Sequence, residues 1–390
     1  MERHIVATVV LTLMLPALGA DVRPPDRRPD HPSESTAASD SSPENVVVLI
    51  ADGMGAAYWT AAKWRGDSLS VREMEAAGLT DTRSSDSWIT DSAAGATAFA
   101  TGRRTYNGAI AVGPECRNRM EKDSAAVMEN PASCAPLRTV LEKARAGGKA
   151  TGLVATSSVT HATPAAFATH VPDRDMEEEI AEQLAGQRLQ VMMGGGRGFF
   201  DGDLRRDGQN LLSELCLEAD CLFTASDFSR YRADTTSGRL VGLFAQEGMP
   251  ARTEGRAPRL SAMTRTALQR LEKGDGGFFL MVEGSQPDWR GHDKASLDEI
   301  VAESESFDAA VEVALEFRRR HRETLVVVLA DHETGGLSLH ERGDSLVAAY
   351  TTDGHTGEMT PHFASGPGAA AFTGIKENRE IGRLLLDTVR

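Results

Sequence analysis

The sequence predicts an α/β fold, a three-layer α/β/α sandwich in which helices cover both faces of a large, mostly parallel central sheet. Uncharged apolar runs of strand length recur along the chain, as expected of parallel strands that are buried on both faces. Segments with helical periodicity separate these runs, and this alternation is typical of doubly wound sheets. Such sheets bind ligands beyond the carboxyl ends of their strands, so we expect chemically active residues directly after the runs.

The predicted elements alternate without a clear break, which predicts a single domain over residues 45–390. The predicted strands are residues 46–50, 152–155, 189–193, 278–282 and 325–329. The predicted helices include residues 137–146, 177–184, 260–273 and 300–319. Residues 201–257 are polar and show no strong periodicity, so we interpret them as a surface excursion.

Two segments precede this domain. Residues 1–20 have a short basic start, an apolar stretch and a small-residue exit, which is typical of a cleavable secretory signal. An uncleaved membrane anchor is the alternative, but the apolar stretch is short for a bilayer. Residues 21–44 are rich in Pro, Ser, Asp and Arg and contain almost no large apolar residues, which predicts a disordered leader. We therefore expect a protein exported to the periplasm or secreted, without stable membrane insertion.

Charge and cysteine usage narrow the function. The formal net charge of −15 argues against nucleic-acid or anionic-membrane binding as the main task, because both need basic surface. An anionic small substrate would need local cations, either metals or a particular arginine. None of the four cysteines has a CxxC spacing, and two short-loop disulfides are plausible after export, with free thiols as the alternative. The two sequence-local pairs are Cys116 with Cys134 and Cys216 with Cys221.

Two motifs place carboxylates directly after predicted strands. The first strand is followed by ADGMG, which contains Asp52 beside glycines that let other groups approach closely. An aspartate that caps the next helix is the alternative interpretation. The strand at 325–329 is followed by ADHETGG, with Asp331 and His332 adjacent. A carboxylate beside an imidazole suits a zinc-type cation, although a hydrogen-bonded pair that stabilises the loop would look the same.

Further candidate ligands follow the strand at 278–282. The segment EGSQPDWRGH offers Glu283, Asp288 and His292, and the last two are spaced so that they can face one way on a helix. Burial of Glu283 at a strand end without a cation would be costly, whereas a solvated loop is the alternative. His355 lies in the glycine-rich segment GHTGEM and gains meaning only as a partner to the others.

Two segments could bind and attack a phosphate. In DSAAGATAFATG, Asp91 or Ser92 can cap a closely packed helix, which places Ser92 at the positive end of a helix dipole. A plain capping serine is the alternative. HATPAAFATHVPDR contains His161, Thr163 and Arg174. The planar fork of Arg174 could clamp a phosphate, whereas a surface arginine balancing the acidic run after it is the alternative.

Together these motifs resemble the alkaline phosphatases across nearly the whole chain after the leader. The resemblance runs in the family's order through VVVLIADGMG, DSAAGATA, HATPAAFATHVPDR, VMMGGGRGFF, FFLMVEGSQPDWRGH, VVVLADHETGG, GHTGEM and HFASGPGA. It implies a hydrolase of small-molecule phosphate monoesters with Ser92 as the nucleophile. It also implies that Arg174 grips two non-bridging phosphate oxygens, and that two Zn²⁺ ions and one Mg²⁺ lie in the site. The implied ligands are Asp288, His292 and His355 for the first zinc, Asp52, Asp331, His332 and Ser92, as an alkoxide, for the second, and Asp52, Thr163 and Glu283 for the third metal.

Two positions depart from the best-known bacterial pattern. His161 stands where that pattern has aspartate, and Trp289 stands where it has lysine. An imidazole near the third metal favours zinc or cobalt more than an aspartate would, so that metal could be Zn²⁺ or Co²⁺. We expect His161 to lie behind the ligands of this metal and to act on the metal through them. We also expect His161 and Trp289 to help bind substrate. Loss of the lysine predicts weaker inhibition by the phosphate product.

Other interpretations remain open at this stage. A phosphodiesterase, sulfatase or phosphomutase of the same superfamily would keep the fold and the metals, although no CxPxR or SxPxR segment supports a sulfatase. A non-catalytic exported protein that binds metal or phosphate is a rival of another class. The run GGGRG at residues 194–198 lacks the GxGxxG form and is interpreted as a structural turn. The resemblance also implies a compact enzyme that could form a homodimer.

Overall fold

A computed structural model describes residues 42–66, 68–231 and 238–389 of the chain. The predicted signal segment, and the predicted leader up to residue 41, lie outside the described residues. Within this part of the chain the strands are β1 (Asn45–Ala51), β2 (Ala76–Asp81), β3 (Ala150–Ser158), β4 (Val191–Gly195), β5 (Ala219–Leu222), β6 (Arg239–Leu243), β7 (Phe278–Gly284), β8 (Thr324–Leu329), β9 (Glu333–Thr334), β10 (Ser338–Arg342), β11 (Ser345–Ala349), β12 (His355–Thr356), β13 (Thr360–Ser365) and β14 (Gly374–Glu377).

The helices of the described residues vary widely in length. The α-helices are α1 (Ala56–Arg65), α2 (Ser92–Thr101), α3 (Arg117–Lys122), α4 (Ser124–Glu129), α5 (Val140–Ala146), α6 (Ala162–Ala168), α7 (Glu177–Gly186), α8 (Leu211–Leu215), α9 (Ala225–Arg230), α10 (Leu260–Leu271), α11 (Gln286–His292), α12 (Leu297–Arg320) and α13 (Asn378–Thr388). Short 3₁₀ helices span Ser70–Glu73, Pro114–Cys116, Pro131–Ser133, Arg197–Phe199, Arg252–Glu254 and Ala369–Phe372.

Ten strands form one central sheet, in the order β14-β2-β13-β8-β1-β7-β3-β4-β6-β5. The pairings make β13 antiparallel to both of its neighbours and all other neighbouring strands parallel. Two small two-stranded sheets, β10 with β11 and β9 with β12, lie outside this sheet. The predicted large, mostly parallel sheet is therefore confirmed.

Helices cover both faces of the sheet, as the continuous apolar strands predict. Along β1, Val46 and Val48 belong to one apolar cluster, whereas Val47 and Leu49 belong to another. Residues of α2, α5, α6, α7 and α13 complete the first cluster, and residues of α1, α10 and α12 complete the second. Alternate side chains of a strand point to opposite faces, so a strand covered on both sides needs an uninterrupted apolar run. The three-layer α/β/α arrangement is confirmed.

The prediction of a surface excursion at residues 201–257 is wrong in part. β5 and β6 lie in this segment and extend the central sheet beyond β4. Leu240, Val241 and Leu243 of β6 are buried. The sequence pattern does not reveal them because β6 has only five residues and begins with an arginine, and the four-residue edge strand β5 contains an aspartate and only one buried residue.

The four cysteines pair in the structure as Cys116 with Cys134 and Cys216 with Cys221, with Cα–Cα distances of 5.2 and 5.6 Å. Each bridge closes a local loop, with sequence separations of 18 and 5 residues. Among the helices in the described ranges, none combines the length and apolar character that crossing a bilayer requires.

Candidate active site and metal centre

The candidate site lies at the carboxyl edge of the central sheet, where β8, β1 and β7 are neighbours. Asp52 directly follows β1, Asp331 lies two residues after β8, and Glu283 is the penultimate residue of β7. Because these three strands are parallel, their carboxyl ends meet at one edge of the sheet. All three carboxylates are fully buried there.

Ser92 is the first residue of α2 and is only 2% exposed. Asp91 caps the helix, with its Oδ1 accepting a hydrogen bond from the Ala94 N–H at 2.9 Å. The Ser92 Oγ lies 3.2 Å from His332 Nε2, which brings the hydroxyl to the sheet edge. Every residue of α2 is buried, and a Cβ atom at Gly95 would lie 3.1 Å from Asp331 Cβ. Small residues therefore allow the helix to approach this edge and aim its positive end at the site.

A first group of ligand atoms surrounds Asp288. Asp288 and His292 lie four residues apart on α11, with His292 Nε2 at 3.3 Å from Asp288 Oδ1. His355 Nε2 lies 3.5 Å from the same oxygen and 3.2 Å from His292 Nε2. The His332 ring stacks on the His355 ring with 3.5 Å between centroids. Asp288, His332 and His355 are close enough to hold one metal ion together. The resemblance implied Asp288 and His355 with His292, so the structure adds His332 as a further candidate ligand of this ion.

A second group combines Asp52, Asp331 and His332, which are close enough to hold one ion together. His332 Nε2 lies 3.4 Å from Asp52 Oδ1 and 3.6 Å from Asp331 Oδ2. Gly53 has a φ of +69° and donates its N–H to Asp331 Oδ1 at 3.3 Å. A Cβ atom at this position would lie 2.6 Å from Thr334 Oγ1. The glycine of ADGMG thus permits the close approach that the sequence indicated.

A third group consists of Asp52, His161 and Glu283. Glu283 Oε2 accepts a hydrogen bond from Ser157 Oγ at 2.6 Å. Thr163 is the second residue of α6, and its buried hydroxyl helps to lower the pKa of Glu283. His161 is the capping residue of the same helix. The structure therefore brings together Asp52, Glu283 and Thr163, and adds His161 as a candidate ligand.

Within the described residues the buried carboxylates are compensated only in part: the charge of Arg174 favours ionisation of Asp52 and Glu283, but burial outweighs it. Both oxygens of Asp52, Oδ2 of Asp331 and Oε1 of Glu283 are buried without a hydrogen-bond partner. Burial and then neighbouring carboxylates raise the pKa of Asp52 and of Asp331 well above the usual range. Burial raises the pKa of Glu283 to about 7, against the hydrogen bond from Ser157. Such groups are expensive to bury as anions unless cations compensate them, so the donor set fits metal ions.

The imidazoles differ in their surroundings. Burial holds the pKa of His332 well below its usual value, which favours the neutral form that binds metals. The hydrogen bond to Asp288 raises the pKa of His292 to about 9 in the absence of a metal. Burial opposes ionisation of Asp288, but His292, His332 and His355 outweigh it and hold the pKa of this carboxyl well below its usual range.

Backbone carbonyls orient two of the histidines. His292 Nδ1 lies 2.6 Å from the Asp353 carbonyl oxygen, and His355 Nδ1 lies 2.8 Å from the Thr90 carbonyl oxygen. An N–H at Nδ1 that donates to a carbonyl leaves the lone pair on Nε2, and both Nε2 atoms face Asp288. This is the arrangement in which imidazoles are presented to a metal.

Arg174 lies beside this group on a half-buried loop. Its Nη1 donates to Asp91 Oδ2 at 3.2 Å, and its Nη2 lies 3.1 Å from His161 Nε2. Burial lowers the pKa of Arg174, but Asp91 and Asp52 outweigh this effect and raise it. The Trp289 ring meets the His161 ring edge-on, with 6.0 Å between centroids. The two positions that depart from the best-known pattern therefore contact each other, and His161 also contacts Arg174.

Sequence reasoning missed several residues that hold the site together. Asp91 was considered only as a helix cap, yet it also orients Arg174 and accepts the Gly108 N–H at 3.0 Å. Thr334 donates its hydroxyl to Asp288 Oδ1. Ser157 could have been found, because it lies two residues after the predicted strand 152–155, whereas the Thr90 and Asp353 carbonyls leave no side-chain signal.

Sequence comparison identifies known proteins that are similar to this chain. Residues 43–350 match the alkaline phosphatase family. Alkaline phosphatase 3 of Bacillus subtilis (strain 168) is 37% identical over 337 residues, which cover 82% of this chain and 67% of that relative. The chain thus spans about two thirds of the length of that relative.

Solved structures are similar over most of the chain. Alkaline phosphatase from the Antarctic bacterium TAB5 matches with a TM-score of 0.80 and 35% identity, covering 89% of this chain and 98% of that chain. A mutant of that enzyme, with a histidine replaced by aspartate and with Mg bound in its M3 site, matches with a TM-score of 0.77 and 34% identity, covering 90% and 98%.

Proposed function

The chain belongs to the alkaline phosphatase family, and from this premise we propose that it hydrolyses phosphate monoesters through a phosphoserine on Ser92. The observation that carries the proposal is the position of this serine. Its hydroxyl lies at a helix N-terminus, beside His332 and next to buried carboxylates whose oxygens lack partners within the described residues. A nucleophile, an anion-binding helix end and a cation-binding donor set meet at one point.

The metal sites are proposed from the donor sets. Two zinc ions and a third metal, magnesium or another divalent cation, would stabilise charge on the attacking and leaving oxygens and lower the pKa of the nucleophile. The residues proposed to hold them are Asp288, His292 and His355 for the first zinc, Asp52, Asp331, His332 and Ser92 for the second, and Asp52, Thr163 and Glu283 for the third metal.

We propose that His161 acts on the third metal indirectly, through the residues that would bind it. Arginine is a hydrogen-bond donor only, so the 3.1 Å contact from Arg174 Nη2 requires a lone pair on His161 Nε2 and a proton on Nδ1. Burial lowers the pKa of His161 to about 3, which keeps the ring neutral. A related structure with a histidine changed to aspartate has Mg in its M3 site, and this supports a link between such a histidine and metal choice.

The reaction proceeds in two displacements. Ser92 Oγ attacks phosphorus and loses its proton, the bond from phosphorus to the ester oxygen breaks, and the alcohol leaves with a proton. Water then attacks the phosphoserine and releases inorganic phosphate with the serine restored. Arg174 binds two non-bridging oxygens through its planar fork and is itself held by Asp91. The positive end of the α2 dipole, where Ser92 lies, would favour the negative charge of the phosphoryl group.

Replacing Ser92 tests the nucleophile. Because no other side chain would take the phosphoryl group, Ser92→Ala should lose the pre-steady-state burst and about 10⁴-fold or more of kcat. Ser213→Ala, a change to an exposed serine on α8, is the matched control and should behave as the wild type. A normal burst from Ser92→Ala would reject the assignment.

The substrate class needs a separate comparison. Monoester, diester and sulfate substrates with the same leaving group should be assayed side by side on the metal-loaded wild type, together with metal analysis. We expect the monoester to be turned over fastest. Preferred turnover of a diester would favour the phosphodiesterase alternative, and a metal-loaded protein that turns over none of them would favour a binding protein.

Export is proposed with the same activity. The two disulfides support an oxidising compartment, since such bonds are rare in the cytosol. The predicted signal segment, residues 1–20, lies outside the described residues. A fusion of residues 1–44 to a periplasmic reporter tests it, and retention of the reporter in the cytosol would contradict it. Homodimer formation stays a prediction.

A further inference from the structure

The glycine run at residues 194–198 has a partner in the fold. It begins in the last two residues of β4 and faces residues 244–249, which directly follow β6 and which we call the clamp loop. A Cβ atom at Gly195 would overlap the carbonyl oxygen of Glu247, so only glycine permits this approach. Backbone bonds join the two segments: Gly196 N to Glu247 O at 2.7 Å, Phe244 N to Gly194 O at 2.8 Å, Arg197 N to Ala245 O at 2.9 Å and Gly198 N to Gln246 O at 2.9 Å.

The end of the clamp loop is tied to the site elements as well. Met249 donates its N–H to the Thr156 carbonyl oxygen of β3 at 2.9 Å. The Met249 carbonyl oxygen accepts a hydrogen bond from Gln286 Nε2 of α11 at 2.9 Å. Gln286 is buried and lies on the helix that carries Asp288. The loop is thus fixed against both the glycine run and the helix that bears a candidate metal ligand.

Between these anchors, Gly248 contacts the Trp289 ring. A Cβ atom at Gly248 would overlap Cη2 of Trp289 and lie 2.9 Å from its Cζ3. The same indole meets the His161 ring edge-on at 6.0 Å between centroids. The indole is partly buried and stands between Gly248 and His161, so a group added at Gly248 acts on the ring. The bare backbone of Gly248 therefore sets how far Trp289 stands from the loop.

His161 links Trp289 to Arg174, the residue proposed to bind phosphate. Its Nε2 lies 3.1 Å from Arg174 Nη2, and the other terminal nitrogen of Arg174 donates to Asp91 at 3.2 Å. We propose that Gly248 is a positioning residue: with no side chain, it lets Trp289 pack against the clamp loop and so keeps His161 and Arg174 placed to bind phosphate. This inference rests on the proposed function.

The test is the variant Gly248→Ala, measured on the metal-loaded full chain with inorganic phosphate as the probe. Because hydrogen bonds fix the clamp loop, the added methyl group should displace the Trp289 ring, which also contacts His161. Because displacements of about 1 Å in a positioned site cost on the order of ten- to a hundredfold, we expect the inhibition constant of inorganic phosphate to rise by that range. The fluorescence of Trp289 itself is obtained by subtracting the spectrum of a Trp289→Phe variant. This Trp289 signal should differ between the wild type and Gly248→Ala.

A matched glycine provides the control. Gly186 is the last residue of α7, and a Cβ atom built there meets nothing within 4 Å. Gly186→Ala should leave the phosphate inhibition constant unchanged. An equal rise in both variants would overturn the proposal, because it would report a general cost of adding a methyl group.

A double-mutant cycle separates positioning from general damage to the loop. In a Trp289→Ala background the added methyl group no longer meets a ring, so Gly248→Ala should have no further effect on phosphate binding. An undiminished effect there would overturn the proposal. This arm also covers a Gly248→Ala single variant that folds poorly, because removing the indole should restore its melting temperature.

The outcomes distinguish this inference from the proposed function. If the wild type hydrolyses the monoester and binds phosphate, but Gly248→Ala folds with wild-type phosphate affinity, the positioning role alone is wrong. If the metal-loaded wild type neither turns over monoesters nor binds phosphate, the proposed function fails, and the inference fails with it.

Discussion

Two regions of the molecule bury carboxylates to the same degree but compensate them differently. The Glu303 side chain is 3% exposed and pairs with the Arg256 guanidinium, which is 1% exposed. The backbone N–H of Arg252 donates to its second oxygen at 2.6 Å. At the sheet edge, Asp52 and Asp331 are fully buried, yet both oxygens of Asp52 and Oδ2 of Asp331 have no hydrogen-bond partner in the described ranges.

The two regions differ in the source of the charge that compensates their buried carboxylates. A buried carboxylate needs compensation, and Glu303 obtains it from an arginine of the same chain. At the sheet edge, burial keeps the His332 imidazole beside Asp52 neutral, and Arg174 is already paired with Asp91, so full compensation of these carboxylates requires cations from outside the polypeptide. Buried charge that is paired internally marks structure, whereas buried charge left unpaired marks a binding site.

The variant with the largest expected effect is Asp52→Asn, which tests whether the sheet-edge carboxylates bind metal. The amide is a poorer metal ligand and carries no charge, so the variant should lose bound metal. Because metal ions supply several kcal/mol of charge stabilisation, kcat/KM should fall by about 10³-fold or more. Metal analysis and monoester kinetics measure both effects. Full metal content with wild-type kcat/KM would remove Asp52 from the site.

The matched change in the other region is Glu303→Gln. It leaves Arg256 buried without its counter-ion, which should cost about 3–5 kcal/mol in the free energy of unfolding. Urea unfolding of the metal-loaded protein measures this cost. Metal content should equal that of the wild type, because Glu303 pairs with arginine rather than with metal. Loss of metal from a folded Glu303→Gln variant would refute the distinction between the regions.

Metal removal exposes the cost of the unpaired carboxylates through pH. In the metal-free protein the pKa of Glu283 is raised to about 7 from 4.5, chiefly by burial. A raised carboxyl pKa contributes stability that is complete below the unfolded value and lost as pH rises through the folded value. Unfolding in chelator should therefore become easier by about 3 kcal/mol from about pH 5 to about pH 8.

The matched variant for this prediction is Glu283→Gln, which cannot titrate. Its unfolding free energy in chelator should lack the portion of the pH slope that Glu283 supplies. Urea unfolding across this pH range measures both proteins. Parallel curves would show that Glu283 does not carry the unpaired charge.

The smallest expected effect concerns a pair outside both regions. His170 Nε2 lies 2.9 Å from Glu142 Oε1. Burial lowers the pKa of His170, but the hydrogen bonds with Glu142 and the Ala111 carbonyl outweigh it and raise the value. This stability is present at acidic pH and lost as pH rises through the raised pKa, so His170→Gln should cost about 1 kcal/mol near pH 6 and less near pH 9. A cost independent of pH would contradict the ion pair.

Much of the fold could be predicted because central parallel strands leave an uninterrupted apolar pattern. β1, β3, β4, β7 and β8 all overlap predicted strands. β13 escaped because it is the antiparallel strand, carries Pro361 and His362, and alternates buried with partly exposed residues. Its position beside β8 depends on a long-range pairing that no local pattern encodes.

The site divides in the same way. Candidate ligands such as Asp52 and Asp331 could be found because a charged residue after an apolar run is conspicuous. The dual role of Asp91 and the contact of Gly248 with Trp289 could not be found, because each joins segments far apart in the chain. Backbone groups that orient imidazoles, such as the Thr90 carbonyl, are common to every residue and carry no signature.

The central claim is that Ser92 becomes phosphorylated at a site whose buried carboxylates depend on metal. The most direct test is mass spectrometry of protein quenched in acid during monoester turnover, with and without prior chelation. We expect a phosphoryl group on Ser92 of the metal-loaded protein and none on the chelated protein or on Ser92→Ala. Turnover that leaves Ser92 unmodified while another residue carries the phosphoryl group would contradict it.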